Sequence, residues 1–302
     1  MGVGTFYADV LTKVKEDVLD IYFRLTPEDT PFTQMSGDSD VMQPFHQWLE
    51  ESLSTRNDNA VEDGAAFAFT TEPIGAVRLN NATQILKKEV RISRTSQKSV
   101  RYGVANQFAD QLGKRLVELK TDAEHALIRG SLTTGNASSA RRLQGVIWAL
   151  TLGSQQHTLL EVVSFNEAHL NDLLQALWVQ GAKARDLLVN GNMARRISEF
   201  TGSATKFRDQ NDLTLMNVVS VYESDFGVVR KHISRDVPQS VGVSADTYVI
   251  AIDRDMFKKA WLDRPFTKRT ADIADSLDGV IMAELTLEYG SPTGGGFYRG
   301  LL

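Results

Sequence analysis

Between Tyr7 and Leu25 the apolar residues Val10, Leu11, Val14, Val18, Ile21 and Tyr22 recur at helical spacing and predict an amphipathic helix. Such a stripe needs a surface to lie on. Pro27 and Pro31 then block helix continuation and favour an extended linker anchored by Phe32. Gln43 to Glu50 reads as a strand entering a polar excursion from Ser54 to Asn81, with Ile85 to Ser93 as the return strand. Inside the excursion Asp63-Gly64 offers a turn and Phe67 and Phe69 alternate like a short strand. Val61, Ile74, Val77 and Leu79 are nearly all its other large apolar residues, too few for a core of its own. Support by a neighbouring copy of the chain is the preferred reading.

Val104 to Arg129 predicts a single long helix, with Val104, Phe108, Leu112, Leu116, Leu119, Ala123 and Leu127 on one stripe and Gly130 as its stop. At about 1.5 Å per residue it spans about 39 Å, the width of a small domain. Ser131 to Arg142 is a small-residue connector. Beyond it, element types alternate. Ser164-Phe165-Asn166-Glu167 has capping-box form and opens a helix to Gln180, Leu187 to Val189 is a strand, and Asn190-Gly191 turns. A helix from Met193 to Phe200 precedes strands at Met216–Tyr222, Val228–Ile233 and Tyr248–Ile252, making a mixed α/β unit. Ile281 to Tyr289 alternates apolar and polar residues, one face buried and one wet. Gly290 to Gly300 reads as a flexible or tightly turning terminal strand.

Composition narrows the function classes. With 302 residues, 42% hydrophobic and 24% charged, the chain has the balance of folded protein. It has no cysteine, which excludes disulfides, thiolate metal sites and thiol catalysis and fits a reducing cytosol. No apolar run reaches the roughly 18 residues of a membrane span, and the acid-bearing N-terminus lacks signal-peptide form. A formal charge of −5, from 38 acids and 33 bases, argues against a dedicated nucleic-acid binder.

Catalytic signals are absent at the level of motifs. His46, His125, His157, His169 and His232 are scattered outside any metal-ligand spacing, and no Gly-x-Ser-x-Gly elbow occurs. Asp58 to Gly64 resembles a calcium loop, but Val61 stands where an oxygen ligand belongs. The chain reads as a non-enzyme with no cofactor. The basic run Lys87, Lys88, Arg91, Arg94, Lys98 and Arg101 admits three readings: ion pairs to a neighbouring subunit, a DNA-facing surface, or a solvated strand. The acids Asp9, Glu16, Asp17, Asp20, Asp58, Glu62 and Asp63 in the arm and loop favour the first.

Several local stretches carry a family resemblance: Thr26-Pro27-Glu28-Asp29-Thr30-Pro31-Phe32, Trp48 with Ser52-Leu53, and Asn80-Asn81-Ala82-Thr83-Gln84-Ile85. Glu118-Leu119-Lys120-Thr121-Asp122-Ala123-Glu124 and Tyr222-Glu223-Ser224-Asp225-Phe226-Gly227 complete the set. In this order the chain resembles the major capsid (major head) proteins of tailed bacteriophages, with the Hong Kong 97-like fold. The resemblance implies an α+β chain: an N-terminal arm over 1–35, a first part of a peripheral domain over 36–53, and an extended loop over 54–84. The peripheral domain with its spine helix would continue over 85–150, an α/β axial domain would span 151–262, and a return strand and C-terminus over 263–302 would rejoin the peripheral domain.

The function so implied is self-assembly into hexamers and pentamers that form an icosahedral or prolate head around double-stranded DNA. The shell would be built in the host bacterial cytoplasm and end in the virion. Partners would be further copies of the chain, with portal, scaffolding and cement or decoration proteins, weak non-specific contact with packaged DNA, and no membrane. Phe6, Tyr22 and Phe32 in the arm, Trp48 at the loop base, Phe67 and Phe69 in the loop, and Arg91 and Arg94 are the expected inter-subunit contacts. One relative cross-links a loop lysine to a neighbour's asparagine; here Ser54 to Asn81 contains no lysine, so that chemistry is not expected. The 103 residues before Val104 suffice only for arm and loop, implying a separate scaffolding protein or none. An encapsulin-like compartment, and an enzyme using the 151–262 module, stand as alternatives.

Overall fold

The computed structural model describes residues 28–54, 56, 58–66, 75–99, 106–136, 138–153, 156–163, 165–200, 221–239, 247–270 and 275–301. The arm helix expected over Tyr7–Leu25, and with it Phe6 and Tyr22, lies outside these residues, as do Phe67 and Phe69. The first elements are α1 (Pro31–Met35), β1 (Gly37–Asp40), β2 (Phe45–Glu50), β3 (Val77–Ala82), β4 (Gln84–Ser93), α2 (Arg94–Lys98) and α3 (Gln107–Arg129). There follow α4 (Val146–Leu152), β5 (Gln156–Val163), α5 (Glu167–Gln180), β6 (Asp186–Val189), α6 (Gly191–Ser198), β7 (Val221–Ser224) and β8 (Gly227–Ile233). The chain closes with β9 (Tyr248–Ile252), β10 (Phe257–Arg269), β11 (Ser276–Tyr289) and β12 (Gly295–Leu301). The strands form a four-stranded sheet ordered β1-β10-β11-β4, a six-stranded sheet ordered β5-β12-β9-β6-β8-β7, and the ribbon β2-β3.

The long helix packs on the four-stranded sheet because both present apolar stripes of the right period. Leu86, Val90 and Ile92 of β4 and Ile281, Ala283 and Leu285 of β11 alternate inward, and α3 meets them with Leu119, Ala123, Ala126 and Leu127. Asn106 caps the helix by accepting from the Ala109 amide, so it starts near the predicted point, but only its C-terminal half is core; Leu116 remains half exposed. Gly130 does end it, though by closeness and not by a left-handed turn. Its φ is −51°, and a Cβ there would lie 2.5 Å from the Ala126 carbonyl oxygen and 2.6 Å from that of Leu143. The Gly145 amide donates to the Gly130 carbonyl at 2.9 Å, so the two glycines join the end of α3 to the start of α4.

The six-stranded sheet is buried on both faces at its centre. Leu188, Ile250, Ile252 and Phe297 face the core shared with α3 and α4, whereas Leu187, Val189, Val249, Ala251 and Tyr298 face the core that includes α5 and α6. The period-two alternation of β6, β9 and β12 divides one sheet between two cores.

Several expectations are corrected. The capping box of α5 is Asn166 with His169, each side chain bonding the other's backbone, and Ser164 lies outside the described residues. Asn190 is no hairpin turn: its Oδ1 accepts from the Met193 amide at 2.9 Å and starts α6 two residues before the predicted point. The partner of β2 is β3, from Phe45↔Ala82 to Glu50↔Val77, whereas β4 pairs β11. The excursion therefore closes at Val77. The longest element missing from the sequence reading is β10. Its Arg264-Pro265 step falls in a bulge between the Asp263↔Glu284 and Phe266↔Met282 pairs, where a proline costs no ladder bond. The glycine-rich terminus is an ordered strand: β12 lies between β9 and β5, with Phe297 and Tyr298 buried. Gly295 is needed there because a Cβ would sit 2.8 Å from the Ala251 carbonyl oxygen. The stretch expected to rejoin one domain, 263–302, is thus split between two sheets.

Candidate assembly surface

The ribbon leaves the body through a buried polar clamp. Asn81, fully buried on β3, donates through Nδ2 to the carbonyls of Gln144 at 3.0 Å and Leu287 at 2.8 Å. Its Oδ1 accepts from the amides of Gln144 at 2.8 Å and Ala82 at 2.9 Å. One side chain so satisfies backbone groups of three separate segments. Beside it the Thr83 hydroxyl and Arg141 both donate to Glu284, and the Leu143 amide donates to the Gln84 side chain.

The inner face of β2 completes the clamp. Trp48 meets the ring of Tyr289 edge-on with centroids 4.9 Å apart, and His46 lies 3.2 Å from Glu288, which also accepts from the Ser39 hydroxyl at 2.9 Å. Burial pushes the Glu288 carboxyl up, but the bonds from Ser39 and His46 and the charge of Lys258 outweigh it and leave it below its ordinary value. Burial, with a smaller push from Glu50, raises the Tyr289 hydroxyl to about 12. Trp48 therefore stands at the loop base as expected, but its ring packs within its own chain.

Beyond the clamp the ribbon shows apolar side chains to solvent. Leu49 is 67% exposed, Leu53 89%, Val61 78% and Val77 60%, and Met42, just before β2, is 91% exposed. Large aliphatic groups so exposed, strung along one segment, exceed the scattered apolar residues of an ordinary surface.

The arm root is fixed from the other side of the body. Glu124, a buried carboxylate within the apolar stripe of α3, accepts from the Phe32 amide at 2.8 Å, the Thr33 amide at 2.7 Å and the Thr33 hydroxyl. Burial dominates and raises its pKa, against the pull of those three donors; nearby Asp236 adds to the rise. Phe32, expected at a subunit contact, is fully buried in its own chain's core. Asp29 pairs with Arg235 at 2.7 Å, and His125 lies 3.1 Å from Asp236, tying the segment before α1 and the helix α3 to the β8–β9 connection.

Of the basic run, Lys87, Lys88, Arg91 and Arg94 find partners inside the chain, and Arg101 lies outside the described residues. Arg91 makes a two-pronged pair with Asp278 at 2.8–3.1 Å, and this pair is the main cause holding the Asp278 carboxyl below its ordinary value. Arg94 lies 3.1 Å from Asp275, and Lys88 lies 2.6 Å from Asp122. The cross-strand register Asp278↔Arg91 explains why: the acids that answer this run stand on the neighbouring strand and on α3. Asn81, Glu124, Leu49 and Leu53 received no role from sequence reasoning. The one local signal was a glutamate inside an apolar helix stripe.

Comparisons with known proteins agree in one direction. The family described as SU10 major capsid protein matches residues 3–302. A major capsid protein of Escherichia phage Phieco32 is 34% identical over 110 residues, which is 36% of this chain and 31% of that protein. The chain thus matches about a third of that relative's length. In three dimensions the chain is similar to the cyanophage A-1(L) capsid, with TM-score 0.71, 12% identity and coverage of 98% and 99% of the two chains. It is also similar to the capsid of an empty GTA particle, with TM-score 0.65, 10% identity and coverage of 98% and 99%.

Proposed function

Since the chain belongs to the SU10 major capsid protein family and has the Hong Kong 97-like capsid fold, we propose that it closes a phage head shell as hexamers and pentamers. The family is structural and not enzymatic, and its members are virion capsid components. The observation that carries the finer reading is the set of exposed aliphatic residues from Leu49 to Val77 on a ribbon whose root is rigidly clamped. A rigid root aims the ribbon, and its apolar groups gain burial only on another molecule.

In this reading α3 is the spine of a peripheral domain, the six-stranded sheet forms the axial domain, and the ribbon β2–β3 with the loop it carries lies on a neighbour. Heterologous contacts of this kind close into rings when the rotation closes. Leu49, Leu53, Val61 and Val77 are the proposed contacts in the described loop, joined by Phe67 and Phe69, with Phe6 and Tyr22 in the arm. Double-stranded DNA as content, assembly in the host cytoplasm, and portal, scaffolding or decoration partners belong to the same proposal.

The test is expression of the chain alone, followed by sedimentation velocity and negative-stain microscopy. Closed particles of uniform diameter are expected. A species that stays monomeric at high concentration, with the loop resistant to protease, would overturn the reading.

A further inference from the structure

At one end of the six-stranded sheet, the C-terminus of α5, the start of β6, the β7–β8 turn and the turn after β9 enclose an open cleft of about 770 Å³. Its apolar wall is Trp178, 62% exposed with its ring 6.0 Å from that of Phe226, together with half-exposed Val228. Its polar wall is cationic. Lys183, Arg185, Arg230 and Arg254 line it, against Asp255 as the one lining acid among the described residues. Arg254 is fixed by a two-pronged bond to buried Asp186 at 2.8 and 3.0 Å, and Arg185 lies 3.6 Å from Asp255. Lys183 and Arg230 make no ion pair among the described residues, and both are exposed.

We propose that this cleft receives the Asn59–Gly64 segment of the loop of a second copy, an inference that rests on the shell-forming reading above. The segment offers the complement. Val61 projects into solvent between Asp58 and the pair Glu62 and Asp63, and the chain bends back at Gly64, whose φ is +81°. Of these acids Asp58 accepts the Ala60 amide of its own loop at 3.2 Å. The run from Lys87 to Arg94 is answered by acids of its own chain, so it offers the loop little uncompensated charge. The cleft retains Lys183 and Arg230 outside any ion pair among the described residues and sets them beside the apolar wall of Trp178 and Val228. Exposed ion pairs are weak singly, so Lys183 and Arg230 set register while burial of Val61 against Trp178 supplies most of the attraction.

The chain has no cysteine, which makes the test clean. Val61→Cys and Val228→Cys are introduced together at these two exposed positions, shells are assembled, and the sample is oxidised and run without reductant. A ladder of covalently linked chains is expected, absent from either single variant. A parallel pair, Lys183→Glu with Arg230→Glu and Glu62→Lys with Asp63→Lys, should each lower shell yield at least tenfold while circular dichroism stays native. Combining them should restore most of the yield. Closed shells that give no ladder, or only an intrachain bond, overturn this docking and leave the shell reading intact. So do charge reversals that assemble normally. Absence of particles from the unaltered chain overturns both.

Discussion

The carboxylate of Glu124 accepts the backbone amide of Phe32, 92 residues earlier in the chain, at 2.8 Å in the core beneath the spine helix. With the Thr33 amide at 2.7 Å it satisfies two first-turn amides of α1, where the capping position Thr30 supplies no side-chain bond. The short helix α1 is therefore held to α3 by charge-assisted bonds placed among apolar neighbours.

Replacing Glu124 with alanine leaves those amides without acceptors. We expect a loss of about 2–4 kcal/mol, from two orphaned buried donors, read as a lower denaturant midpoint. The pH dependence follows from the raised pKa of Glu124. The folded chain holds this proton more tightly than the unfolded chain. The group's contribution is therefore full below its unfolded value and is lost as pH rises through the higher folded value. Glu124→Ala should remove that component, as midpoints measured on both proteins across the acid range would reveal.

Glu288 has the opposite sign. Its pKa is lowered in the fold, so its stabilisation is present above the unfolded carboxylate value and fades as pH falls through the lower folded value. Hydrogen exchange of the β2 amides, corrected for intrinsic rates, should show the ribbon root loosening in acid, and Glu288→Gln should abolish that change. Equal loosening in the variant would contradict the assignment.

Asn81→Ala removes four hydrogen bonds at once and orphans buried groups at Gln144 and Leu287. A loss of roughly 3–5 kcal/mol is expected, among the larger single-site effects. Limited proteolysis should then cut near β2 and β3 well before the α/β unit.

Leu49→Asp and Leu53→Asp should behave in the reverse manner. Both sites are largely exposed, so monomer stability should change by no more than about 0.5 kcal/mol. Shell formation should fail, with sedimentation showing small species of native circular dichroism. Normal shell yields from both would remove these residues from the contact surface.

Arg91→Glu and Arg94→Glu separate two roles that the sequence had joined. The first sets a second acid beside buried Asp278 and should destabilise the β4–β11 pair. The second breaks only an exposed pair with Asp275 and should leave the fold unchanged. Thermal unfolding of the two variants side by side distinguishes them.

Periodicity determined much of the fold on its own. The spine helix, α5 and β9 are legible because each buries a stripe of residues repeating at 3.6 or 2, and local burial is what such patterns report. The bare excursion was legible for the converse reason, since so few apolar residues cannot make a core. The ordered stretches of family likeness added the capsid assignment.

Other features were decided only by tertiary structure, because they depend on partners far apart in sequence. β10 is charged and carries Pro265, and it is a strand only because β11 lies beside it with a bulge at the proline. The glycines of β12 look flexible in isolation, yet they allow close approach to β9 in the centre of a sheet. Phe32, Trp48 and Arg91 each suggested an outward role, and each is answered within the chain, by the core around Glu124, by Tyr289 and by Asp278. Residue type states what a side chain requires, and only the packed chain decides whether that requirement is already met. Among the described residues, those left unmet include the aliphatic groups of the ribbon and, in the cleft, Lys183 and Arg230.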